Sequence, residues 1–178
     1  MKKLFLLTIL VGITLLGCAE NQESNLVSSN SQTDFSSLGQ LYAAKLINGE
    51  TGDELILNET IIDSTGKEIV IYARLRVLEN SFPGSITISM IPNVEDLSIQ
   101  LFPEMNFSKD VRLDLSFSGI NLEEFGYNTT GTYDFAFFAV NGDVELIESD
   151  ISHANLEQNK IKVLNAKLNH FSRYGWIR

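Results

Sequence analysis

The chemistry-bearing side chains of this 178-residue chain are few and scattered. His153, His170 and Cys18 are its only histidines and cysteine. A tetrahedral zinc site would have to recruit carboxylates beside them, so no metal is expected. The acid pairs Glu123 with Glu124, Asp143 with Glu145 and Glu148 with Asp150 carry enough charge for calcium. None has the regular Asp/Asn-Gly loop spacing that wraps the ion, and solvated turn carboxylates are the better expectation. The chain has no glycine-rich phosphate loop, no Gly-x-Ser-x-Gly elbow and no HExxH helix, so no cofactor is expected either. The interleaved aromatics Tyr133, Phe135, Phe137 and Phe138 lack the neighbouring basic residues that a base-stacking platform requires, and a place in the core is expected for them.

Charge points the same way. There are 23 acidic residues against 13 basic, a formal charge of −10. Such a surface repels phosphate backbones and anionic headgroups, which argues against nucleic-acid binding. The first seventeen residues hold Lys2, Lys3 and an apolar run from Leu4 to Leu16, with no acid. Without those two lysines the remainder carries 11 basic residues against 23, a charge of −12. The apolar run is shorter than the roughly 20 residues that span a bilayer, and it reads as a processed export signal. Leu15-Leu16-Gly17-Cys18 resembles the lipobox of bacterial lipoproteins. That resemblance implies cleavage after residue 17, diacylglycerol on Cys18, and a lipid-anchored place in the cell envelope. With Ala19 next, it implies the outer membrane where the cell has two. Residues 18–40 are rich in Ser, Asn, Gln and acids, and their composition predicts a flexible tether of roughly 25 Å.

Residues 41–178 are written in period two, the spacing of half-buried strands. Ile69, Ile71, Ala73, Leu75 and Val77 alternate with Val70, Tyr72, Arg74 and Arg76. Val111, Leu113, Leu115 and Phe117 alternate with Arg112, Asp114 and Ser116. Ile86, Ile88 and Met90, and then Leu97, Ile99 and Leu101, repeat the pattern. Asn141-Gly142 predicts a hairpin with a type I′ turn, and Leu122 to Tyr127 has room for a single helical turn. About nine or ten short strands at this spacing predict an all-β fold, an antiparallel β-sandwich.

Two segments carry a family resemblance. Leu101-Phe102-Pro103-Glu104-Met105-Asn106-Phe107-Ser108-Lys109-Asp110-Val111-Arg112-Leu113 resembles the "FxPxxxxFxxPVxLxL" stretch of ZU5 domains, and Leu168-Asn169-His170-Phe171-Ser172-Arg173-Tyr174 is similar to their "HFSxY" ending. A looser match runs from Leu75 to Gly84. The resemblance implies a β-sandwich that binds other proteins or serves as a structural module. On packing grounds Phe102, Phe107 and Phe171 are expected as apolar anchors, Pro103 as the end of a strand, and the Tyr174 hydroxyl as the cap of a sandwich corner.

In some ZU5-containing proteins the His-Phe-Ser run cleaves itself. Carried onto this chain, Ser172 would attack the Phe171 carbonyl, His170 would act as general base or acid, and the Phe171–Ser172 bond would break. Only Ser172 to Arg178 follow that bond, so the released product would be very short. The leading expectation is therefore a non-enzymatic, lipid-anchored envelope module that contacts the membrane through acylated Cys18 and binds a protein or glycan. The alternative is the self-cleaving domain.

Overall fold

Alternating apolar and polar residues put one face of each strand toward a neighbour sheet and the other toward water. A computed structural model describes residues 33–34 and 41–178. The expected signal peptide, Cys18 and most of the tether lie outside the described residues. Among those described, thirteen strands and no helix are present. The excess over nine or ten comes from pieces too short to show a period, such as β1 (Thr33–Asp34), β8 (Gly131–Thr132) and β10 (Val144–Leu146). Strand β1 falls inside the expected tether, where it pairs in parallel with Ile61 and Ile62. An unpaired strand edge offers backbone partners to any nearby segment, whatever its composition.

The strands form two sheets. One orders β1, β3 (Asp53–Ile62), β4 (Glu68–Val77), β7 (Asn106–Ser118), β12 (Lys160–His170), β11 (Ile151–Asn155) and β8. The other orders β10, β9 (Phe135–Phe138), β13 (Arg173–Trp176), β6 (Ser98–Phe102), β5 (Ser85–Asn93) and β2 (Ala43–Asn48). Apart from β1 with β3, every pairing is antiparallel. Leu75, Leu113 and Val163 from the first sheet share one buried cluster with Ile88, Ile99 and Tyr174 from the second. This is the antiparallel β-sandwich that the alternation predicts.

Local chemistry sets the turns. The Asn141-Gly142 hairpin forms, but its loop is not the two-residue type I′. Gly142 N–H bonds the Ala139 carbonyl at 3.0 Å and only Gly142 has positive φ, at 92°. A type I turn followed by a left-handed glycine matches the sheet twist equally well. Between Asn121 and Gly126 the N–H groups of Glu124, Phe125 and Gly126 each bond the carbonyl three residues back, without becoming a helix. Pro103 follows the last residue of β6, as expected. Two aromatic expectations need correction. Phe102 is 41% exposed rather than a core anchor, because its register partner Ser89 lies on the outer face. Phe138 also lies outside, with the Arg173 guanidinium 5.6 Å from its ring centre.

Candidate functional site

The chain passes from one sheet to the other between β12, ending at His170, and β13, beginning at Arg173. His170, Phe171 and Ser172 make that corner. Phe171 is buried against the Phe107 ring, with centres 4.5 Å apart and edge to face. Its N–H donates to the Met105 carbonyl at 2.8 Å, and the Ser172 carbonyl accepts from Leu101 N–H at 2.9 Å. The Tyr174 hydroxyl reaches back four residues and donates to the His170 carbonyl at 2.5 Å. This is the corner cap expected from the sequence, a tyrosine tying the end of one strand to the start of the next.

The same hydroxyl lies 3.1 Å from His170 Nδ1. Its single proton goes to the carbonyl, so Nδ1 is the donor in that contact and the ring proton sits on Nδ1. The other side of the imidazole packs edge to face against Phe137 at 4.5 Å. Among the described residues no hydrogen bond joins the His170 ring to the Ser172 hydroxyl. The three residues are neighbours in space, and the polar contacts recorded for His170 lead to Tyr174.

A second cluster lies on the outer face of the seven-stranded sheet, where the alternation places Arg74, Arg76, Arg112 and Asp114. Strand register turns that sequence pattern into neighbours. Arg76 stands opposite Glu54 on one side and Arg112 on the other, and Arg112 stands opposite Lys167. Three cations therefore occupy adjacent strands in one row, an arrangement that destabilises a sheet when left uncompensated. Arg74 stands opposite Asp114 in the next row.

Asp114 is 4% exposed although it sits on the outer face, because it is roofed by the arginines it serves. Its Oδ2 accepts from Arg74 Nε at 3.0 Å and Nη2 at 2.7 Å. Its Oδ1 accepts from Asn165 N–H at 2.8 Å and from Arg76 Nη2 at 3.5 Å. Asp114 holds the Arg74 guanidinium even further above its usual range through that hydrogen bond and its charge. Asn165 reaches Asp114 because β12 carries a bulge between Val163 and Ala166, where Asn165 adopts φ 57°. Asparagine tolerates that left-handed conformation better than most residues. Its side chain accepts from Arg76 Nη2 at 3.2 Å and donates to Asp150 at 2.9 Å.

Lys167 is paired with Glu148. Arg112 is different: no carboxylate lies within ion-pair distance of it among the described residues, and its Nη1 is buried without a partner. Arg76 Nε is likewise buried and unpaired. The strand positions of this outer face hold Arg74, Arg76, Arg112, Lys160, Lys162 and Lys167 against Glu54, Glu68, Asp110 and Asp114, and Glu148 and Asp150 border it.

The acid pairs noted in the sequence serve local structure. Glu124 accepts from Asn121, Asp143 from Asn141, and Glu148 and Asp150 from Lys167 and Asn165. No three potential metal ligands cluster among the described residues. His153 stands opposite Lys162 on the outer face, far along the sheet from His170. The alternation revealed an arginine-bearing face but not the Arg112 row, since pairing across 36 residues has no local signal. No family model, curated protein or solved structure matches the chain.

Proposed function

We propose that this chain is a non-enzymatic module of the bacterial cell envelope, anchored through acylated Cys18, whose ZU5-like β-sandwich holds a protein or glycan partner. The observation that supports a binding role is the row Arg76, Arg112 and Lys167, with Arg112 lacking an acid partner among the described residues. Adjacent like charges on a sheet cost stability, and such conflicts concentrate where a surface serves contact rather than folding. Tethering near the membrane gives the rigid sheet face access to other envelope components.

Site-specific photocrosslinking in intact cells tests this reading. A crosslinker at Ser116, on the same face four residues along β7 from Arg112, captures a discrete partner, and one at Thr87 on the opposite sheet does not. Failure to capture anything from Ser116 in a membrane-anchored, folded chain sinks the proposal. Cys18→Ser releases the protein from membranes, and continued detergent partitioning refutes the anchor.

For the alternative, cleavage at Phe171–Ser172, the contacts at the corner support an architectural role for His170 instead. The intact mass of the purified chain decides the matter. A fragment ending at Phe171 would restore the catalytic reading of Ser172 and His170.

A further inference from the structure

Another part of the seven-stranded sheet's outer face is built differently from the Arg112 row. Asn155 on β11 stands opposite Lys160 on β12, and two residues along the same strands His153 stands opposite Lys162. On the next strand Ser118 stands opposite Lys160 and Ser116 opposite Lys162. Their chain neighbours Ala154, Ile161, Val163 and Phe117 are buried, so these six side chains share the outer face. With strands about 4.8 Å apart and about 3.4 Å per residue along them, the six Cα positions fit within about 10 by 7 Å. One small molecule can reach all of them. His153, Asn155, Lys160 and Lys162, with Ile151 and Gln158, line a groove of about 380 Å³.

The walls of that groove hold two lysines, a histidine and no carboxylate. Among the described residues Lys160 and Lys162 make no ion pair and no side-chain hydrogen bond, unlike Lys45, Lys109 and Lys167. The surrounding acids are engaged or set apart. Asp114 is held by Arg74 and Arg76, and Asp150 accepts from Asn165 at 2.9 Å. Glu68 lies on β4, two strands from Lys160 and about 10 Å away, beyond the Debye length of about 8 Å at physiological salt. Glu157, in the turn after β11, is exposed and is not part of the groove wall. The net charge of the chain repels a polyanion spread over its surface, but a single group seated between two ammoniums answers chiefly to them.

Lysine meets an anion as a point charge rather than as a planar fork, which suits a compact tetrahedral group better than a flat carboxylate. Two ammoniums also balance a dianion, and a phosphate monoester carries about −1.5 to −2 at pH 7. Asn155 Oδ1 accepts from Gln158 N–H at 2.9 Å, so the Asn155 amide keeps its N–H groups to donate outward. With Gln158, Ser116 and Ser118, it surrounds the lysines with uncharged hydrogen-bonding groups.

We propose that this groove is a binding site for a phosphate monoester on a small hydroxylated body, such as a sugar phosphate. The phosphate seats between the Lys160 and Lys162 ammoniums with His153 beside it, and the hydroxyls meet Asn155, Gln158 and the two serines. The site is separate from the Arg112 row, which lies about 14 Å along β7 from Ser116, and it does not depend on that row.

Titration of the full chain carrying Cys18→Ser, followed by its backbone amide NMR spectrum, tests the site with three probes. These are glucose 6-phosphate, glucose 6-sulfate and sodium phosphate, each against sodium chloride at equal ionic strength. Glucose 6-phosphate is expected to saturate, with shifts centred on β11, β12 and their turn, and to bind at least about threefold more tightly than either other probe. Lys160→Gln and Lys162→Gln each weaken it by about fivefold or more, while Lys109→Gln at the far end of β7 leaves it unchanged. The same spectra report whether each variant is folded. Equal binding of the sulfate ester shows that the groove does not select a dianion and overturns the phosphate assignment. Equal binding of inorganic phosphate overturns the hydroxylated body. If glucose 6-phosphate does not saturate, or both lysine variants bind like the parent, the site itself is overturned. That failure bears on the groove alone, since the partner reading rests on the Arg112 row and is judged by crosslinking.

Discussion

Replacing Tyr174 with phenylalanine separates an architectural corner from a catalytic one. The ring is fully buried and packs against Phe135 and Phe137, and phenylalanine retains those contacts, so no cavity opens. What disappears is the hydroxyl, which donates to the His170 carbonyl at 2.5 Å and accepts from His170 Nδ1 at 3.1 Å. A net hydrogen bond contributes about 1 kcal/mol, and a polar group left without a partner costs about 1–3 kcal/mol. His170 is half-buried and water can serve part of its need, so a total near 2 kcal/mol follows. With a urea slope of about 2 kcal/mol per molar, the unfolding midpoint falls by about 1 M and the slope is unchanged. The buried Trp176, the chain's one tryptophan, reports the transition by fluorescence. A midpoint equal to that of the parent protein would show that the hydroxyl does not hold the two sheets together. The corner would then need another explanation.

Three further outcomes follow from named contacts. Asp114→Ala leaves Arg74, Arg76 and the Asn165 N–H without their acceptor, and a loss of about 2 kcal/mol is expected, the arginines being one-third exposed and partly served by water. Urea unfolding at low salt measures it, and a neutral result would mean that the arginines do not depend on this carboxylate. Gly119→Ala places a methyl 2.1 Å from the Glu68 carbonyl oxygen at a φ of +84°, and should destabilise the domain by more than about 2 kcal/mol in calorimetry. In alkali, burial has pushed the phenols of Tyr127 and Tyr174 above their ordinary value. Groups with a raised folded-state pKa contribute stability that is complete below the unfolded value, about 10 for tyrosine, and is lost as pH climbs toward the folded one. Stability should therefore decline above about pH 10, in step with the tyrosinate absorbance of unfolding. A flat profile there contradicts the burial of both hydroxyls.

The fold class was legible because a half-buried strand writes its orientation every second residue. Ile69, Ile71, Ala73, Leu75 and Val77 are all buried, as are Val111, Leu113, Leu115 and Phe117. The Tyr174 corner was also readable, since its partner lies only four residues away. Errors arose where alternation lapses. Phe102 and Phe138 are large and apolar but sit at strand ends on the outer face, where hydrophobicity alone says nothing about direction.

By itself the sequence determined which residues of each strand share a face, where the chain must turn, and that arginines and an aspartate point outward together. Tertiary structure decided which of those outward residues meet. Arg74 and Asp114 are 40 residues apart, and Arg112 and Lys167 are further still, yet each pair stands in register across one strand boundary. Period two carries the face of a side chain but not the identity of the neighbouring strand. Asp114 is thus buried beneath arginines on a face that alternation assigns to water, and Arg112 stands in a row of cations without an acid in ion-pair distance among the described residues.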